Sequence, residues 1–242
     1  MNSVSVVTVT LNNAAGLRET LNSLAALQYR PMEVIVIDGG STDETAAVVR
    51  EFEVQLPLSF TSQADDGIYD AMNKGHRSCR GEFVHYLNAG DTVFGEPYRQ
   101  VAQACLLPVH VHDEAGRFFF EEFVRHGGFA YCHQGILFPR NHPSYREEYR
   151  VAADLDMMIA AFPHGLRGLP RVSDGGARFD LGGASSQAGR KRDREVRAIF
   201  FERFSWWEAS RLQAGILLKY LLPRSLRRRL MKALHGGGTR AA

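Results

Sequence analysis

The chain has 242 residues, of which 45% are hydrophobic and 23% are charged. This composition is typical of a globular protein with a sizeable core, and it excludes a disordered chain, a collagen, a coiled-coil rod and a disulfide-stapled mini-protein. The net charge of +2 conceals two opposite segments, because residues 1–186 carry 15 Lys and Arg against 23 Asp and Glu, whereas residues 187–242 carry 14 against 4. The second segment is therefore predicted to be a basic appendage with a partner of its own.

Cysteine usage and apolar runs indicate the compartment. Cys79, Cys105 and Cys132 are widely spaced and form no C-x-x-C motif, which is typical of reduced thiols in a cytosolic protein. The first residues resemble a strand and not a signal peptide. The longest apolar stretch, Ala214–Leu222, contains Lys219 and is shorter than the roughly 20 residues that a membrane span needs. We therefore expect a cytoplasmic protein.

Strands alternate with amphipathic helices along the chain. The runs Val4–Leu11 and Glu33–Asp38 are apolar almost throughout, which is typical of strands buried on both faces. Ser41, followed by Glu44 three residues later, predicts a capping box at the start of the second helix. The other predicted elements are a helix capped by Asn12 or Asn13 with an apolar face of Leu17, Leu21, Leu24 and Leu27, strands at Leu58–Ser62, Glu82–Asn88, Val109–His112 and Phe118–Phe120, and helices at Asp70–Cys79 and Ala153–Phe162. This alternation predicts an α/β fold with a mostly parallel sheet.

The last part of the chain changes character. Gly175–Gly189 is rich in Gly and Ser and is predicted to be a flexible loop. The composition then shifts to Arg, Lys, Trp and Leu, with a helical pattern to about Leu234. A basic amphipathic helix that carries Trp206 and Trp207 suits the surface of an anionic membrane. A helix packed on the rest of the protein and a dimer interface are the alternatives, while nucleic acid is disfavoured because no reading module accompanies the charge.

Polar clusters follow three of the predicted strands. They are Thr10-Leu11-Asn12, Asp38-Gly39-Gly40-Ser41-Thr42-Asp43 and Asn88-Ala89-Gly90-Asp91. Each alone is an ordinary turn with capping residues, but ligands of open α/β sheets bind at the carboxyl ends of strands. Three such ends on one edge therefore favour a binding site. The G-x-G-x-x-G fingerprint is absent after the first strand, which argues against a nicotinamide or flavin enzyme.

The acidic and basic residues of these segments suit a metal and a pyrophosphate. Asp91 is a hard oxygen ligand on a tight glycine turn and suits Mg²⁺ or Mn²⁺, which complete their shells with phosphates and water. The segment Asp65–Gly75 begins with two carboxylates, Asp65 and Asp66, and continues with a glycine turn and a helix that carries Asn73 and Lys74. A lysine beside a metal is a natural pyrophosphate partner.

These motifs together carry a resemblance. T-x-N, D-G-G-S-T-D, D-x-G-I-Y-D-A-M-N-K-G and L-N-A-G-D, in that order, resemble the nucleotide-sugar half of family 2 glycosyltransferases with the GT-A fold, and most of all the bacterial exopolysaccharide group, such as the colanic-acid transferases. The resemblance is dense over residues 3–95 and resumes at Cys132–Gln134, Ala153–Asp156 and Leu181–Ser186. It implies a Rossmann-like, mostly parallel mixed sheet flanked by helices, with C-terminal amphipathic helices. The implied division is a catalytic domain at 1–186, with a nucleotide-sugar half at 1–95 and an acceptor half at 96–186, followed by a helical tail at 187–242.

The resemblance also implies roles for single residues. Asp38 matches the contact to nucleobase and ribose, Asp91 the last carboxylate of the metal motif, and Asp154 the catalytic base, with Asp156 as a second candidate. His133 is either near the acceptor or structural. The implied substrate-binding set is Thr10, Asn12, Asp38, Gly40, Asp66, Gly67, Asn73, Lys74, Asn88, His133 and Ser185, the last on a loop that closes over the donor diphosphate or the acceptor.

The implied activity is inverting sugar transfer from a UDP- or GDP-sugar to a lipid-linked or other glycan acceptor in bacterial exopolysaccharide or lipopolysaccharide synthesis, with Mn²⁺ or Mg²⁺ as cofactor. The enzyme is expected to be peripheral on the inner face of the plasma membrane, and a homodimer is possible. One alternative is a sugar nucleotidyltransferase, although Thr10–Gly16 lacks the Arg and Lys of a triphosphate loop. Another is a non-catalytic sugar-nucleotide-binding or scaffold protein, which a metal motif reduced to one carboxylate favours.

Overall fold

The computed structural model describes residues 3–112, 118–121, 128–180 and 189–221. The strands are β1 (Val4–Thr10), β2 (Glu33–Asp38), β3 (Leu58–Ser62), β4 (Phe83–Tyr86), β5 (Thr92–Gly95), β6 (Cys105–Leu106), β7 (Val109–His112), β8 (Phe118–Glu121), β9 (Ile136–Pro139) and β10 (Gly175–Asp180). The helices are α1 (Ala14–Ala25), α2 (Thr45–Phe52), α3 (Ile68–Ser78), α4 (Ala153–Ala161), α5 (Gly189–Arg203) and α6 (Trp206–Leu221), with a 3₁₀ turn at His133–Gly135.

A six-stranded sheet positions the strand ends that the sequence singles out. Its order is β3-β2-β1-β4-β9-β6, with β3, β2, β1 and β4 parallel and β9 antiparallel to β4 and β6. Every residue of β1 and β2 is buried, as the continuous apolar runs predict. Leu17, Leu21 and Leu24 of α1 are completely buried against this sheet's core cluster. The predicted α/β fold with a mostly parallel sheet is confirmed.

A second sheet corrects one prediction. It has the order β5-β10-β7-β8, and β10 occupies part of the segment that the sequence predicts to be a flexible loop. A Cβ on Gly175 would lie 2.4 Å from the Phe94 carbonyl oxygen, and one on Gly176 would lie 2.2 Å from the Pro108 carbonyl oxygen. Glycine therefore serves close approach between strands here, and not flexibility. Residues 181–188 lie outside the described residues.

The predicted capping box of α2 is wrong. The helix begins at Thr45, and its cap residue, Glu44, makes no side-chain capping bond. Asp43 instead accepts hydrogen bonds at Oδ1 from the Thr45 backbone N (3.0 Å) and Oγ1 (2.5 Å). The Ser41 hydroxyl is used elsewhere, because it donates to Asp38 Oδ1 and accepts from the Asn12 backbone N at 2.7 Å. Long-range bonds to the neighbouring loop thus displace the local capping pattern.

The chain divides into two compact units, Met1–Gly189 and Arg190–Ala242. Within the first unit, β6 and β9 come from the predicted acceptor half yet lie in the same sheet as β1–β4. The two predicted halves are therefore one structural body, while their separate functions stay predictions. Among the described residues, no helix combines the length and apolarity needed to cross a membrane.

Candidate active site

Three neighbouring strands bring their polar ends to one edge of the large sheet. Thr10 ends β1 directly opposite Asp38, which ends β2, and Asn88 lies two residues beyond β4 on the other side of β1. Asn12, at a φ of +48°, accepts a hydrogen bond at Oδ1 from the Thr42 backbone N at 2.9 Å, and Asn13 donates to the Ala89 carbonyl at 3.1 Å. Of the two candidate caps for α1, Asn13 is the one that caps, since it accepts from the Gly16 backbone N. The loops after β1, β2 and β4 are thus tied together.

Asp38 is held rigidly by its own loop and by β3. Its side chain is buried, and it accepts hydrogen bonds from the Ser41 backbone N and hydroxyl and, at 2.6 Å, from the Ser62 hydroxyl. The Thr10 hydroxyl beside it is buried without a hydrogen-bond partner among the described residues. A pre-oriented carboxylate next to an unsatisfied hydroxyl is a polar surface suited to a ligand that supplies the missing bonds. The predicted contacts of both residues to nucleobase and ribose stay predictions.

The metal prediction centres on Asp91 and Asn88. Asp91 is 6% exposed, its Oδ2 accepts a hydrogen bond of 2.7 Å from Gln134 Nε2, and its carbonyl accepts one of 2.7 Å from the Thr20 hydroxyl. Asn88 Oδ1 is a buried acceptor without a partner among the described residues. These are hard oxygen atoms, and a carboxylate has about four lone-pair positions. The residues present therefore fit a Mg²⁺ or Mn²⁺ ion held by few protein ligands.

One 3₁₀ turn contacts both of the carboxylates to which the sequence assigns chemistry. Gln134 donates to Asp91, as above, and the preceding residue, His133, places Nδ1 at 3.9 Å from Asp154 Oδ2. The turn is itself anchored, because His85 Nε2 bonds the Gln134 carbonyl at 2.7 Å and Cys132 Sγ donates to Gln134 Oε1 at 2.8 Å. The predicted metal ligand and the predicted base are thus contacted by two adjacent residues of the same turn.

The surroundings of the two candidate bases differ. Asp154 opens α4, its side chain is 29% exposed, and its Oδ1 accepts hydrogen bonds from the Leu155 backbone N (2.8 Å) and from the Tyr69 hydroxyl (3.5 Å). Asp156 is 1% exposed, and its Oδ1 lies 3.6 Å from Arg146 Nη1. A base must reach its substrate, whereas a buried carboxylate facing an arginine is a structural pair. The geometry therefore favours Asp154.

His133 faces Asp154 as a neutral imidazole. Burial lowers the pKa of His133 to about 4, so the ring is uncharged near pH 7. Its Nε2 is buried without a hydrogen-bond partner among the described residues. The Tyr86 ring packs beside it with the ring centroids 6.4 Å apart, and Tyr145 packs against Tyr86 at 5.2 Å. Because the ring is uncharged, His133 places no positive charge beside the Asp154 carboxylate.

Asn73 and Lys74 hold the fold where the sequence predicts substrate contacts. Asn73 is buried, and its Nδ2 donates to the Tyr145 carbonyl and to Glu147 Oε1, both at 2.9 Å, while its Oδ1 accepts from the Tyr145 backbone N at 2.9 Å. Lys74 Nζ pairs with Asp70 Oδ2 at 2.9 Å and donates to the Ala64 carbonyl at 3.1 Å. These bonds give both side chains partners within the protein, and their predicted contacts to the donor stay predictions.

The hydrogen bonds of Asn73 give a stability prediction. Replacing Asn73 by Leu removes three hydrogen bonds and leaves the backbone N–H and C=O of Tyr145 without partners. We expect a loss of about 3 kcal/mol in the free energy of unfolding, or roughly 6–12 °C in Tm. Thermal unfolding measures it, with Asn22→Leu on the exposed side of α1 as the control. An Asn73→Leu protein with unchanged Tm and a weakened donor complex would restore the substrate-contact assignment.

The remaining predicted residues lie around the same edge. Gly40 and Gly67 have φ values of +88° and +118°, in the left-handed region that favours glycine. Asp66 is exposed, and its carbonyl accepts from Arg150, whereas Asp65 reaches the strand edge, with Oδ2 2.7 Å from where a Cβ on Gly39 would stand. Ser185 lies outside the described residues. The contacts of Gln134 and Thr20 to Asp91 and of Tyr69 to Asp154 were not predicted from the sequence, because they join segments that are distant along the chain.

The comparisons with known proteins agree with this fold. Residues 5–104 match the family described as Glycosyl transferase family 2. A PGL/p-HBAD biosynthesis glycosyltransferase of Mycobacterium bovis is 29% identical over 180 residues, which cover 65% of this chain and 69% of that protein. A crystal structure of S. aureus TarS superposes with a TM-score of 0.68 at 19% identity, covering 89% of this chain and 43% of that one, and TarS 1–349 in complex with UDP-GlcNAc gives 0.67 at 20% identity, covering 83% and 66%.

A further solved structure, the mannosyltransferase PcManGT from Pyrobaculum calidifontis in complex with GDP-Man and Mn²⁺, gives a TM-score of 0.60 at 18% identity, covering 82% of this chain and 63% of that one. The chain thus spans less than half of the TarS chain and about two thirds of the mycobacterial relative. The superposed structures show the same fold, and the match to the family model covers the first part of the chain. Residues 5–104 match glycosyl transferase family 2, and the chain that contains them has the GT-A fold.

Proposed function

We propose that this protein is an inverting glycosyltransferase that moves a sugar from a nucleotide-sugar donor to a hydroxyl group of a glycan acceptor. One observation carries the proposal. The accessible carboxylate of Asp154 and the buried carboxylate of Asp91 are contacted by adjacent residues of one turn, at the edge of the sheet where ligands of such folds bind. A base and an acidic metal-binding residue at one place are what transfer from a diphosphate donor requires.

Asp154 supplies the base in this proposal. A sugar hydroxyl is a poor nucleophile near neutral pH and needs a carboxylate within about 3 Å to take its proton. As the acceptor oxygen bonds to the anomeric carbon, the bond from that carbon to the diphosphate oxygen breaks, the hydroxyl proton passes to Asp154, and the nucleoside diphosphate leaves with the electron pair. Attack opposite the leaving group inverts the anomeric centre. The Leu155 N–H and Tyr69 hydroxyl bonds to Oδ1 orient the carboxylate for this step.

Asp91, with Asn88, would hold a divalent cation against the donor diphosphate. Such a cation supplies charge stabilisation to the leaving diphosphate. Within the described residues, no three His, Cys, Asp or Glu side chains gather into a metal cluster, so phosphate oxygens and water would complete the shell. Gln134 orients the Asp91 carboxylate through the 2.7 Å bond to Oδ2. Mn²⁺ in the PcManGT complex supports the proposal.

The relatives support a proposal for the donor and the pathway. The TarS and PcManGT complexes hold UDP-GlcNAc and GDP-Man, which supports a UDP- or GDP-sugar as the donor here. The name of the mycobacterial relative places that protein in PGL/p-HBAD biosynthesis, which supports a role in the synthesis of a bacterial surface glycan on a lipid-linked acceptor. The 14 Lys and Arg against 4 Asp and Glu in residues 187–242 support a place at the inner face of the plasma membrane.

A thermal-shift screen of UDP-, GDP- and dTDP-sugars, with and without Mn²⁺, tests the proposal. A ligand that binds only the folded state stabilises it by about 2.7 kcal/mol at a hundredfold excess over Kd, which is roughly 5–10 °C in Tm for a chain of this size. We expect one UDP- or GDP-sugar to raise Tm, and more so with Mn²⁺. Indifference to every nucleotide would contradict the proposal, and binding without release of nucleoside diphosphate would favour the scaffold alternative.

A further inference from the structure

Two tryptophans stand exposed at the corner between α5 and α6 of the second unit. Trp206 is 61% exposed and Trp207 77%, and their ring centroids are 4.7 Å apart in an edge-to-face arrangement. Phe201, in the last turn of α5, is 44% exposed. Burying large aromatic side chains away from water is strongly favourable, so an exposed group of them marks an interaction surface. We call Phe201, Trp206 and Trp207 the aromatic corner.

The aromatic corner is built into the helix start and is not a frayed end. Ser205 precedes α6, and its hydroxyl donates to Glu208 Oε2 at 2.6 Å and accepts from the Glu208 backbone N at 3.4 Å, while the Ser205 backbone N donates to Glu208 Oε2 at 3.2 Å. This is a complete capping box. Trp206 and Trp207 lie between Ser205 and Glu208, so the hydrogen bonds of the capping box hold the backbone of both tryptophans in place.

The charge around the corner points to one class of partner. Seven basic side chains of residues 190–213 are exposed. They are Arg190, Lys191, Arg192, Arg194, Arg197, Arg203 and Arg211. Of the four acidic residues there, Asp193 is half-buried, Glu195 is buried, Glu208 is engaged in the capping box and Glu202 is exposed, so basic side chains predominate on this surface. Residues 222–242 add six Lys and Arg and no Asp or Glu. Exposed tryptophan beside clustered arginine suits an interface that is apolar below and anionic above.

We propose that the aromatic corner inserts into the headgroup region of an anionic lipid bilayer and is the point at which this protein touches the membrane. The inference rests on the proposed function for its biological sense, because a lipid-linked acceptor lies at such a surface. The arginines supply long-range attraction that salt screens, and Phe201, Trp206 and Trp207 supply apolar burial that salt does not weaken.

The chain offers a direct readout, because Trp206 and Trp207 are its only tryptophans. The full-length protein is mixed with vesicles of equal parts phosphatidylglycerol and phosphatidylethanolamine, or of phosphatidylcholine alone. We expect tryptophan emission to shift to shorter wavelength, and to be quenched by brominated acyl chains, only with the anionic vesicles. The variant W206A/W207A should sediment with these vesicles about tenfold less strongly or worse, whereas Met32→Ala, which truncates an exposed side chain of the first unit, should bind like the wild type.

Several results would overturn the inference. Sedimentation with anionic vesicles without any change in emission would place the contact elsewhere in the basic segment. An emission shift that grows with protein concentration in the absence of vesicles, together with a doubled mass by light scattering, would assign the corner to a second copy of this chain. The donor-induced rise in Tm, measured on the wild type and on W206A/W207A, keeps the two proposals separate. If neither protein is stabilised by any donor, the proposed enzymatic function is contradicted, whereas the membrane contact is still supported by the vesicle experiments.

Discussion

Replacing Asp154 by Asn is expected to lower the rate of sugar transfer by about 10²–10⁴-fold, the usual contribution of a general base. Asn keeps the size of the side chain and an oxygen that can accept from the Leu155 N–H, but it cannot take the proton of the acceptor hydroxyl. Donor binding should persist, because the role proposed for Asp154 is to take a proton from the acceptor. Release of nucleoside diphosphate in the presence of acceptor measures the first effect, and the donor-induced rise in Tm measures the second.

Two further variants make the result specific. Glu51→Gln removes a carboxylate that pairs with Arg18 on the surface, where both side chains are at least 41% exposed, and should leave turnover unchanged. Asp156→Asn tests the second candidate base. If Asp154→Asn keeps normal turnover while a cooperatively folded Asp156→Asn protein loses it, the base is Asp156 and our assignment is wrong.

Replacing Asp91 by Asn is expected to remove the dependence of donor binding on Mn²⁺ and to slow transfer on the order of 10²–10³-fold, the scale of several kcal/mol of lost charge stabilisation. The substitution removes the negative charge but keeps an oxygen that can accept from Gln134 Nε2. The protein should therefore fold normally. The measurement is the difference in Tm between donor with Mn²⁺ and donor alone, followed by turnover.

Asp174→Asn is the matched control for this second variant. Asp174 is also an aspartate of the first unit, but it is exposed and pairs with Arg99 at 3.2 Å. Its replacement should leave the Mn²⁺-dependent shift intact. An Asp91→Asn protein with the same Mn²⁺-dependent shift as the wild type would show that the cation binds elsewhere or not at all.

The central sheet is legible from the sequence because burial on both faces leaves a simple pattern. Val4–Thr10 and Glu33–Asp38 are apolar runs without alternation, and both are completely buried parallel strands. α1 is equally legible, since Leu17, Leu21 and Leu24 repeat at the period of a helix and all face the core. Parallel strands in adjacent positions then force the residues after them to one edge, which is why Asp38 and Asn88 are found there together with Thr10.

Long-range bonds explain what the sequence did not reveal. Gly175 and Gly176 resemble a loop in sequence, but they lie in a central strand because the backbones of Phe94 and Pro108 approach too closely for any side chain. Asn73 looks like a ligand contact on a helix, yet its partners are 72 and 74 residues away. Gln134 lies in a segment that the resemblance covers, but its bond to Asp91 has no sequence signal, because it forms only when the turn is folded against Asp91.

The turn at Cys132–Gly135 also sets a rule for building chimeras of this protein. A natural design would keep residues 1–95 as a donor module and exchange the segment after residue 95 for that of a relative with another acceptor. Gln134 of the exchanged segment, however, orients Asp91 of the retained one, and its carbonyl is held by His85. A recombination boundary at residue 95 would therefore remove the contacts of Gln134 to Asp91 and His85 while it changes the acceptor segment. A chimera should keep the Gln134 turn of the parent together with β4 and the loop that follows it.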